Sequence, residues 1–437
     1  MLALLAIGLP LVLVPITYLL RRWQRVSFLL AAVVSAALGG MMVAVPPDLV
    51  VSLGGREFVA GGTMTFLGRS VVFGPLAQVG LTFLFLAGAA LFLLAGLLET
   101  GELYPSIGLG TLGLLAAALV VRPLVYAVLI LELAVAFSVL ILHSGIGGTR
   151  YLTFFVLALP GPLIAHWLLD MYALTPDQTG LLQTASLLVG LSFALMLGLV
   201  PFHPWVPALG RGELPMAIAL IFSAVGGTVW FLLLDYLRTY PWVSQSPYWV
   251  PALTAMGIGT AVVGGLLGAA PRGWGALLGY AVMVDTGMLT LALVRADALG
   301  VELERAMMLT RVWGVLTAAA GLSAVGAEGI PPRGWRSAWG AVALMVGLLT
   351  LSGFPPTVGF ASRWGLYRLL FQDQPLTALA LLVASLGPVV GMLRMLPGAL
   401  RVESTEKRTL ALADFLLALM AAGAIGLGLF PQILIYR

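Results

Sequence analysis

Cysteine is absent from this sequence, lysine occurs only once, and charged residues make up only 9% of its 437 positions. Without cysteine there can be no disulfides, thiolate-bound metals or cysteine-ligated iron–sulfur clusters, so any redox chemistry must belong to a partner. An ordinary soluble domain is about 25% charged. This chain therefore has too few charges to coat a soluble globule.

Long apolar runs take the place of the missing charges, and 61% of the residues are hydrophobic. Runs of about 20 residues are long enough to cross a bilayer as helices. Backbone groups in lipid must pair internally, and runs without alternation exclude a β-barrel. We predict an all-α polytopic membrane protein of about fourteen spans, near residues 2–20, 27–45, 75–98, 106–121, 123–142, 151–169, 181–209, 214–235, 249–270, 276–294, 303–326, 337–371, 375–397 and 410–433.

The parts between the spans are short, and no soluble domain fits anywhere. Residues 46–74 form the longest connection, and alternation around Val50–Leu53 and Phe58–Val59 predicts a small β-hairpin outside the membrane. The pI near 9.5 reflects arginines in loops and at helix ends, so we expect the lipid bilayer and no nucleic acid as a partner. Their distribution favours, by a small margin, an inner-membrane protein with both termini on the outer side.

Two predicted spans are interrupted by proline, which removes a backbone donor and clashes with the preceding turn. The interruptions are Pro201–Pro207 in the seventh span and Gly353–Phe360 in the twelfth. One kink is common in membrane helices, but paired breaks five spans apart are typical of inverted-repeat transporters. We predict N-terminal spans with the hairpin at 1–105, a five-helix repeat at 106–235, a second at 249–397 and a C-terminal span at 410–437.

Two carboxyl groups are predicted to lie inside the membrane, where a charge costs about 3 kcal/mol on insertion scales. Glu132 stands in the middle of the fifth span and Asp285 inside the tenth. Each is interpreted either as a proton or ion site or as a neutral or arginine-paired group that holds helices together. For Glu132 we favour the first interpretation, a proton or ion site. Asp285 has, in addition, a candidate local hydrogen-bond partner in the hydroxyl of the neighbouring Thr286.

Other ionisable groups lie at or near the breaks. His203 lies inside the seventh-span break and either titrates near neutral pH or hydrogen-bonds freed carbonyls. Arg363 follows the twelfth-span break, and Arg311 and Arg394 fall in or near apolar stretches. Arginine keeps its proton, so these residues can pair or bind anions but cannot relay protons. The sequence has no metal-ligand spacing, phosphate loop or catalytic triad, and we expect neither a metal nor a cofactor.

The motifs that carry a family resemblance are these same stretches. The chain resembles the antiporter-like membrane subunits of respiratory complex I and of Mrp-type cation/proton antiporters in its span order and in Leu129–Glu132, Pro201–Pro207 and Gly353–Phe360. The resemblance implies fourteen spans, inverted repeats, a midplane chain of Glu and Lys residues that moves protons, and other membrane subunits as partners.

Carried over residue by residue, the resemblance is incomplete. The family's fifth-span Glu corresponds to Glu132, and the basic residue that opens its sixth span corresponds to Arg150. The seventh-span and eighth-span lysines fall on Met196 and on or beside Val225, which cannot carry a proton. The resemblance thus implies an interrupted relay.

The second half also departs from the family pattern. Its tenth-span Lys or His corresponds to Asp285, and its twelfth-span Lys or Glu corresponds to Arg363. The proton- or ion-pathway candidates are therefore Glu132, Asp285, His203, Arg363 and Arg150.

The leading hypothesis is an antiporter-like subunit of a complex I-type ion-translocating oxidoreductase with a degenerate proton relay. The alternatives are a structural membrane subunit without proton transfer, and a subunit of a Mrp-type antiporter or energy-coupled uptake system. A stand-alone secondary transporter ranks last, because broken helices do not name a substrate.

Overall fold

The computed structural model describes residues 2–46, 49–53, 56–59, 61–66, 68–98, 100–142, 145–175, 177–244, 246–295, 301–326, 337–400 and 411–432. Most of them are helical. The helices up to the first break are α1 (Leu2–Leu19), α2 (Gln24–Ala44), α3 (Pro75–Leu97), α4 (Tyr104–Val120), α5 (Leu124–Ser138), α6 (Ile146–Ala158), α7 (Pro160–Leu174) and α8 (Gly180–Leu197).

The remaining helices begin after the first break. A π-helical segment, Ile221–Val225, joins two of them, α10 and α11. They are α9 (Trp205–Gly212), α10 (Pro215–Leu220), α11 (Gly226–Thr239), α12 (Pro241–Ser244), α13 (Trp249–Gly268), α14 (Trp274–Val294), α15 (Val301–Val325), α16 (Ala338–Ser352), α17 (Val358–Asp373), α18 (Pro375–Leu400) and α19 (Ala411–Leu429).

Proline sets the starts of several helices. It stands in the first turn of α3, α4, α7 and α10, where a backbone donor has no intrahelical partner to lose. Among the described residues, 12 helices are long and apolar enough to cross a membrane. Two shorter apolar helices, α4 and α16, accompany them. The multi-pass helical fold is thus confirmed, while a total of fourteen spans stays a prediction.

Both predicted helix breaks are present. α8 ends at Leu197 and α9 begins at Trp205, so the chain leaves the helix through the first proline cluster. α16 ends at Ser352 and α17 begins at Val358, with Gly353 in the left-handed conformation at φ 70°. The backbone groups freed at each break need partners inside the protein.

The strand pairing of the predicted hairpin is present, while its position outside the membrane stays a prediction. Strand β1 (Val50–Leu53) pairs antiparallel with β2 (Arg56–Val59), and Val50 faces Val59. The intervening Gly54 and Gly55 lie outside the described residues. A second antiparallel pair, β3 (Gly62–Phe66) with β4 (Arg69–Phe73), was not predicted. A short strand β5 (Val121–Arg122), between α4 and α5, extends it.

The chain divides into two compact units. The first unit comprises Met1–Leu142, Leu152–Met196 and Ala224–Trp249. The second unit comprises His143–Tyr151, Leu197–Ser223 and Val250–Arg437. The inverted five-helix repeats stay a prediction, because units defined by contacts and repeats defined by symmetry are different divisions of a chain.

In the first unit, α2 packs on α3, and α4 packs on both α1 and α5. Arg122 of β5 forms an ion pair with Asp235 of α11. Both side chains of this pair remain partly exposed, at 21% and 15%.

In the second unit, α15 and α16 form the most extensive helix pair. Membrane helices gain little from the hydrophobic effect, so close approach through small residues replaces it. A Cβ atom added to Gly347 of α16 would lie only 2.7 Å from the Cα atom of Ala318 on α15. The same unit contains the pairs of charged residues described next.

Candidate functional site

Three charged side chains from three helices meet inside the second unit. Asp285 lies near the middle of α14, Arg311 on α15 and Arg363 on α17. Nη1 of Arg311 donates to Oδ2 of Asp285 at 2.9 Å, and Nη2 of Arg363 donates to Oδ1. Their side chains are 1%, 7% and 2% exposed. We call this group the Arg–Asp–Arg triad.

The two arginines also satisfy backbone carbonyls at irregular segments. Nη2 of Arg363 donates to the carbonyl of Leu351 at 2.7 Å, in the last turn of α16 before the break. Nε of Arg311 is 3.5 Å from the carbonyl of Phe222, inside the π-helical segment. Carbonyls at a helix end have no partner within their own helix. At Leu351, the triad therefore replaces a hydrogen bond that a continued helix would have supplied.

The expectation that Thr286 satisfies Asp285 was wrong. The Thr286 hydroxyl donates to the carbonyl of Val282 at 2.8 Å and accepts from Nη1 of Arg311 at 2.8 Å. Consecutive residues on a helix do not face each other, so Thr286 cannot reach the neighbouring carboxylate. The arginines of other helices do so instead.

The triad carries one negative and two positive charges. Nη1 of Arg363 is buried and has no hydrogen-bond partner in the described part of the chain. A second buried carboxyl, Glu304, lies on the same helix as Arg311 but seven residues earlier, roughly 10 Å along the helix axis. The excess charge of the triad is thus positive and faces Gly353 at the break.

Glu132 lies in a different environment, on α5 of the first unit. The residue is partly buried, and its Oε1 atom is enclosed without a hydrogen-bond partner in the described ranges. Leu129 and Leu133, which lie one turn apart on an adjacent side of α5, are 39% and 56% exposed. The carboxyl group therefore lies at the edge of an outward apolar face of the helix. The arginine pairing considered for it does not occur among the ion pairs between described residues.

The remaining two candidates are separate from the triad contacts. His203 is partly buried in the first break, and its Nδ1 atom makes no hydrogen bond within the described residues. Arg150 is exposed on α6. Of the five candidates, the structure joins Asp285 and Arg363 directly, and it adds Arg311 to them.

The positions that correspond to the missing lysines are buried and apolar. Met196 at the end of α8 is 2% exposed, and Val225 at the end of the π-helical segment is 0% exposed. Ser223 of the second unit donates its hydroxyl to the carbonyl of Ala219 on its own helix.

Arg311 is the member of the triad that the sequence analysis did not include among the pathway candidates. Its position in an apolar stretch was visible, but its partner was not. The available signal was charge balance, because an acid and two arginines buried in separate apolar helices need one another.

The sequence is similar to those of known membrane proteins. No protein-family model matches the sequence. NADH-quinone oxidoreductase subunit N 1 of Herpetosiphon aurantiacus is 26% identical over 435 residues, covering 87% of this chain and 86% of that protein. Subunit N of Deinococcus radiodurans is 28% identical over 280 residues, covering 60% of this chain and 55% of that protein.

Solved structures share the fold at lower sequence identity. A chain of the Mrp complex from Dietzia sp. DQ12-45-1b gives a TM-score of 0.79 at 17% identity, covering 99% of this chain and 95% of that chain. A chain of an archaeal membrane-bound sulfane sulfur reductase gives 0.77 at 16% identity, with coverage of 99% and 95%. A chain of respiratory complex I from Thermus thermophilus gives 0.72 at 21% identity, with coverage of 99% and 96%. The chain is thus a distant sequence relative of NADH-quinone oxidoreductase subunit N, and it shares its fold with chains of the Mrp, sulfane sulfur reductase and complex I assemblies.

Proposed function

We propose that this chain is an antiporter-like membrane subunit of a complex I-type, ion-translocating oxidoreductase, and that its proton relay is degenerate. The observation that carries the proposal is the match to a subunit N relative over 87% of the chain, joined to the shared fold over its full length. Its partners would be the other membrane subunits of that assembly. Its location would be the inner membrane, with both termini on the outer side.

The degenerate relay follows from residue chemistry. Methionine and valine stand where the resemblance implies lysines, and both are buried. The triad offers two arginines, which cannot release a proton in a protein. Glu132 is then the carboxyl best suited to exchange a proton, because no arginine holds it within the described residues.

The test is Glu132→Gln in the assembled complex, with protons translocated per electron as the measurement. The variant keeps the shape of the side chain but removes its exchangeable proton, so we expect a lower ratio at unchanged electron transfer. Glu102→Gln is the matched control, because Glu102 is exposed in the connection between α3 and α4. An unchanged ratio in Glu132→Gln would remove this residue from the mechanism.

A structural subunit without proton transfer is the second candidate. Burial of Met196 and Val225 favours it, because neither side chain has a group that can carry a proton at these positions. Under this alternative, Glu132→Gln would leave proton translocation unchanged and would affect only assembly or stability.

A Mrp-type antiporter subunit, or a subunit of an energy-coupled uptake system, is the third candidate. The TM-score of 0.79 to a Mrp chain favours it over a stand-alone transporter. Purification with native partners separates the candidates. Redox subunits in the purified assembly support the oxidoreductase, and an assembly of membrane subunits alone contradicts it.

A further inference from the structure

The Arg–Asp–Arg triad lies where the backbone of the second unit is irregular. The oxygen atoms that surround its two guanidinium groups come from Asp285, Thr286, Phe222 and Leu351. They comprise a carboxylate, a hydroxyl and two backbone carbonyls. Hard cations prefer such all-oxygen ligand sets in proteins.

In membrane transporters, carbonyls of unwound backbone near the bilayer midplane commonly coordinate the coupling cation. Here one of the two carbonyls belongs to the last turn before the second break, and the other belongs to a π-helical segment. Both accept from an arginine side chain. The ligands that a mobile cation would use are therefore already occupied by cations that are covalently part of the chain.

We propose that Arg311 and Arg363 act as tethered cations. They permanently fill an oxygen-lined cation site around Asp285, and they keep protons and metal cations out of that site.

The tethered cations cannot exchange. Each guanidinium keeps its charge under all physiological conditions. Both oxygens of Asp285 accept from an arginine, so an added proton or metal ion would have to displace one guanidinium into surroundings where Arg311 and Arg363 are 7% and 2% exposed. An unpaired charge at such depth is strongly unfavourable. The net positive charge, with Nη1 of Arg363 facing the break, also repels an approaching cation.

Because the two arginines already fill the site, the thermal stability of the purified full-length chain in detergent should be the same in sodium chloride and in choline chloride at equal ionic strength. Arg363→Ala vacates two of the ligands, Oδ1 of Asp285 and the Leu351 carbonyl. The melting temperature of this variant should then rise with sodium concentration, or with low millimolar guanidinium, because a ligand that binds only the folded state stabilises it.

Arg311→Ala is the second, independent variant, because it vacates a different set: Oδ2 of Asp285, the Thr286 hydroxyl and the Phe222 carbonyl. In proteoliposomes that contain a pH-sensitive dye, we expect either alanine variant to raise passive proton flux at least tenfold. Arg295→Ala is the matched control, since Arg295 pairs with Asp373 at an exposed position. It should show neither cation-dependent stability nor flux.

Several results would overturn the proposal. Sodium-dependent stability of the unmodified chain would show that the site is open rather than filled. Folded alanine variants without cation rescue or added flux would show that the arginines only hold helices together. Should both alanine variants fail to fold, the comparison of sodium with choline on the unmodified chain still decides. An unchanged proton ratio in Glu132→Gln counts against the proposed function alone, so the two failures are distinguishable.

Discussion

Arg363 and Asp285 are 78 residues apart in the sequence and form a buried ion pair between α17 and α14. The arginine belongs to the helix that restarts after the second break, and the aspartate belongs to an unbroken helix. The guanidinium group does not reach the surface of the protein, since the Arg363 side chain is only 2% exposed. This pair therefore holds the restarted helix against its neighbour.

The first prediction concerns removal of the shared carboxylate. Asp285→Asn should lower the free energy of unfolding by about 3–5 kcal/mol, because it leaves two buried arginines without their counterion. The measurement is unfolding of the purified protein by titration with sodium dodecyl sulfate.

Asp373→Asn is the control for this variant. Asp373 pairs with Arg295 at 3.3 Å, and its side chain is 45% exposed. An exposed pair contributes about 0–1 kcal/mol, so the control should stay close to the unmodified protein. Equal losses in both variants would show that burial of the triad adds nothing to stability.

The helix breaks could be predicted from the sequence because proline acts locally. Pro201 and Pro355 disrupt their own turns whatever surrounds them, and both breaks lie where the sequence places them. The hairpin formed by Val50–Leu53 and Arg56–Val59 was predictable for a similar reason, since alternation and glycine pairs are local signals.

Charge balance indicated that Asp285 needs an arginine partner, but the geometry of the triad could not be predicted, because it depends on which helix faces come together. Asp285, Arg311 and Arg363 lie on helices that lack a clear division into an apolar and a polar face, so no amphipathic pattern indicated which side each one buries. The error over Thr286, by contrast, was avoidable. Helix geometry alone separates the side chains of consecutive residues.

The second prediction concerns Gly353, whose φ of 70° is left-handed. A Cβ atom at this position would overlap Nη1 of Arg363 and lie 3.1 Å from its Cδ atom. Gly353→Ala should therefore lower the free energy of unfolding by about 1–2 kcal/mol through backbone strain. The loss should be larger still, because Arg363 must move away from Asp285. The measurement is the same detergent titration.

Gly68→Ala separates the two effects. Gly68 has nearly the same φ, 72°, but a Cβ atom there would meet nothing within 4 Å. In this control, the free energy of unfolding should fall only by the amount that backbone strain causes. If Gly353→Ala is no worse than Gly68→Ala, the guanidinium moves aside without cost and does not depend on the glycine.

The last prediction compares two buried serines that differ in their hydrogen bonds. The Ser337 hydroxyl accepts from the backbone amide of Gly340 at 2.9 Å and donates to Oδ1 of Asp414 at 2.5 Å, so it caps α16 and ties it to α19. The Ser106 hydroxyl on α4 is buried without a partner in the described part of the chain. Ser337→Ala should lower the free energy of unfolding by about 0.5–2 kcal/mol, which is the usual effect of removing an N-cap. Ser106→Ala should be neutral or stabilising, because it removes a polar group that burial has already left unsatisfied. A loss in Ser106→Ala as large as that in Ser337→Ala would mean that the Ser106 hydroxyl has a partner, such as a buried water.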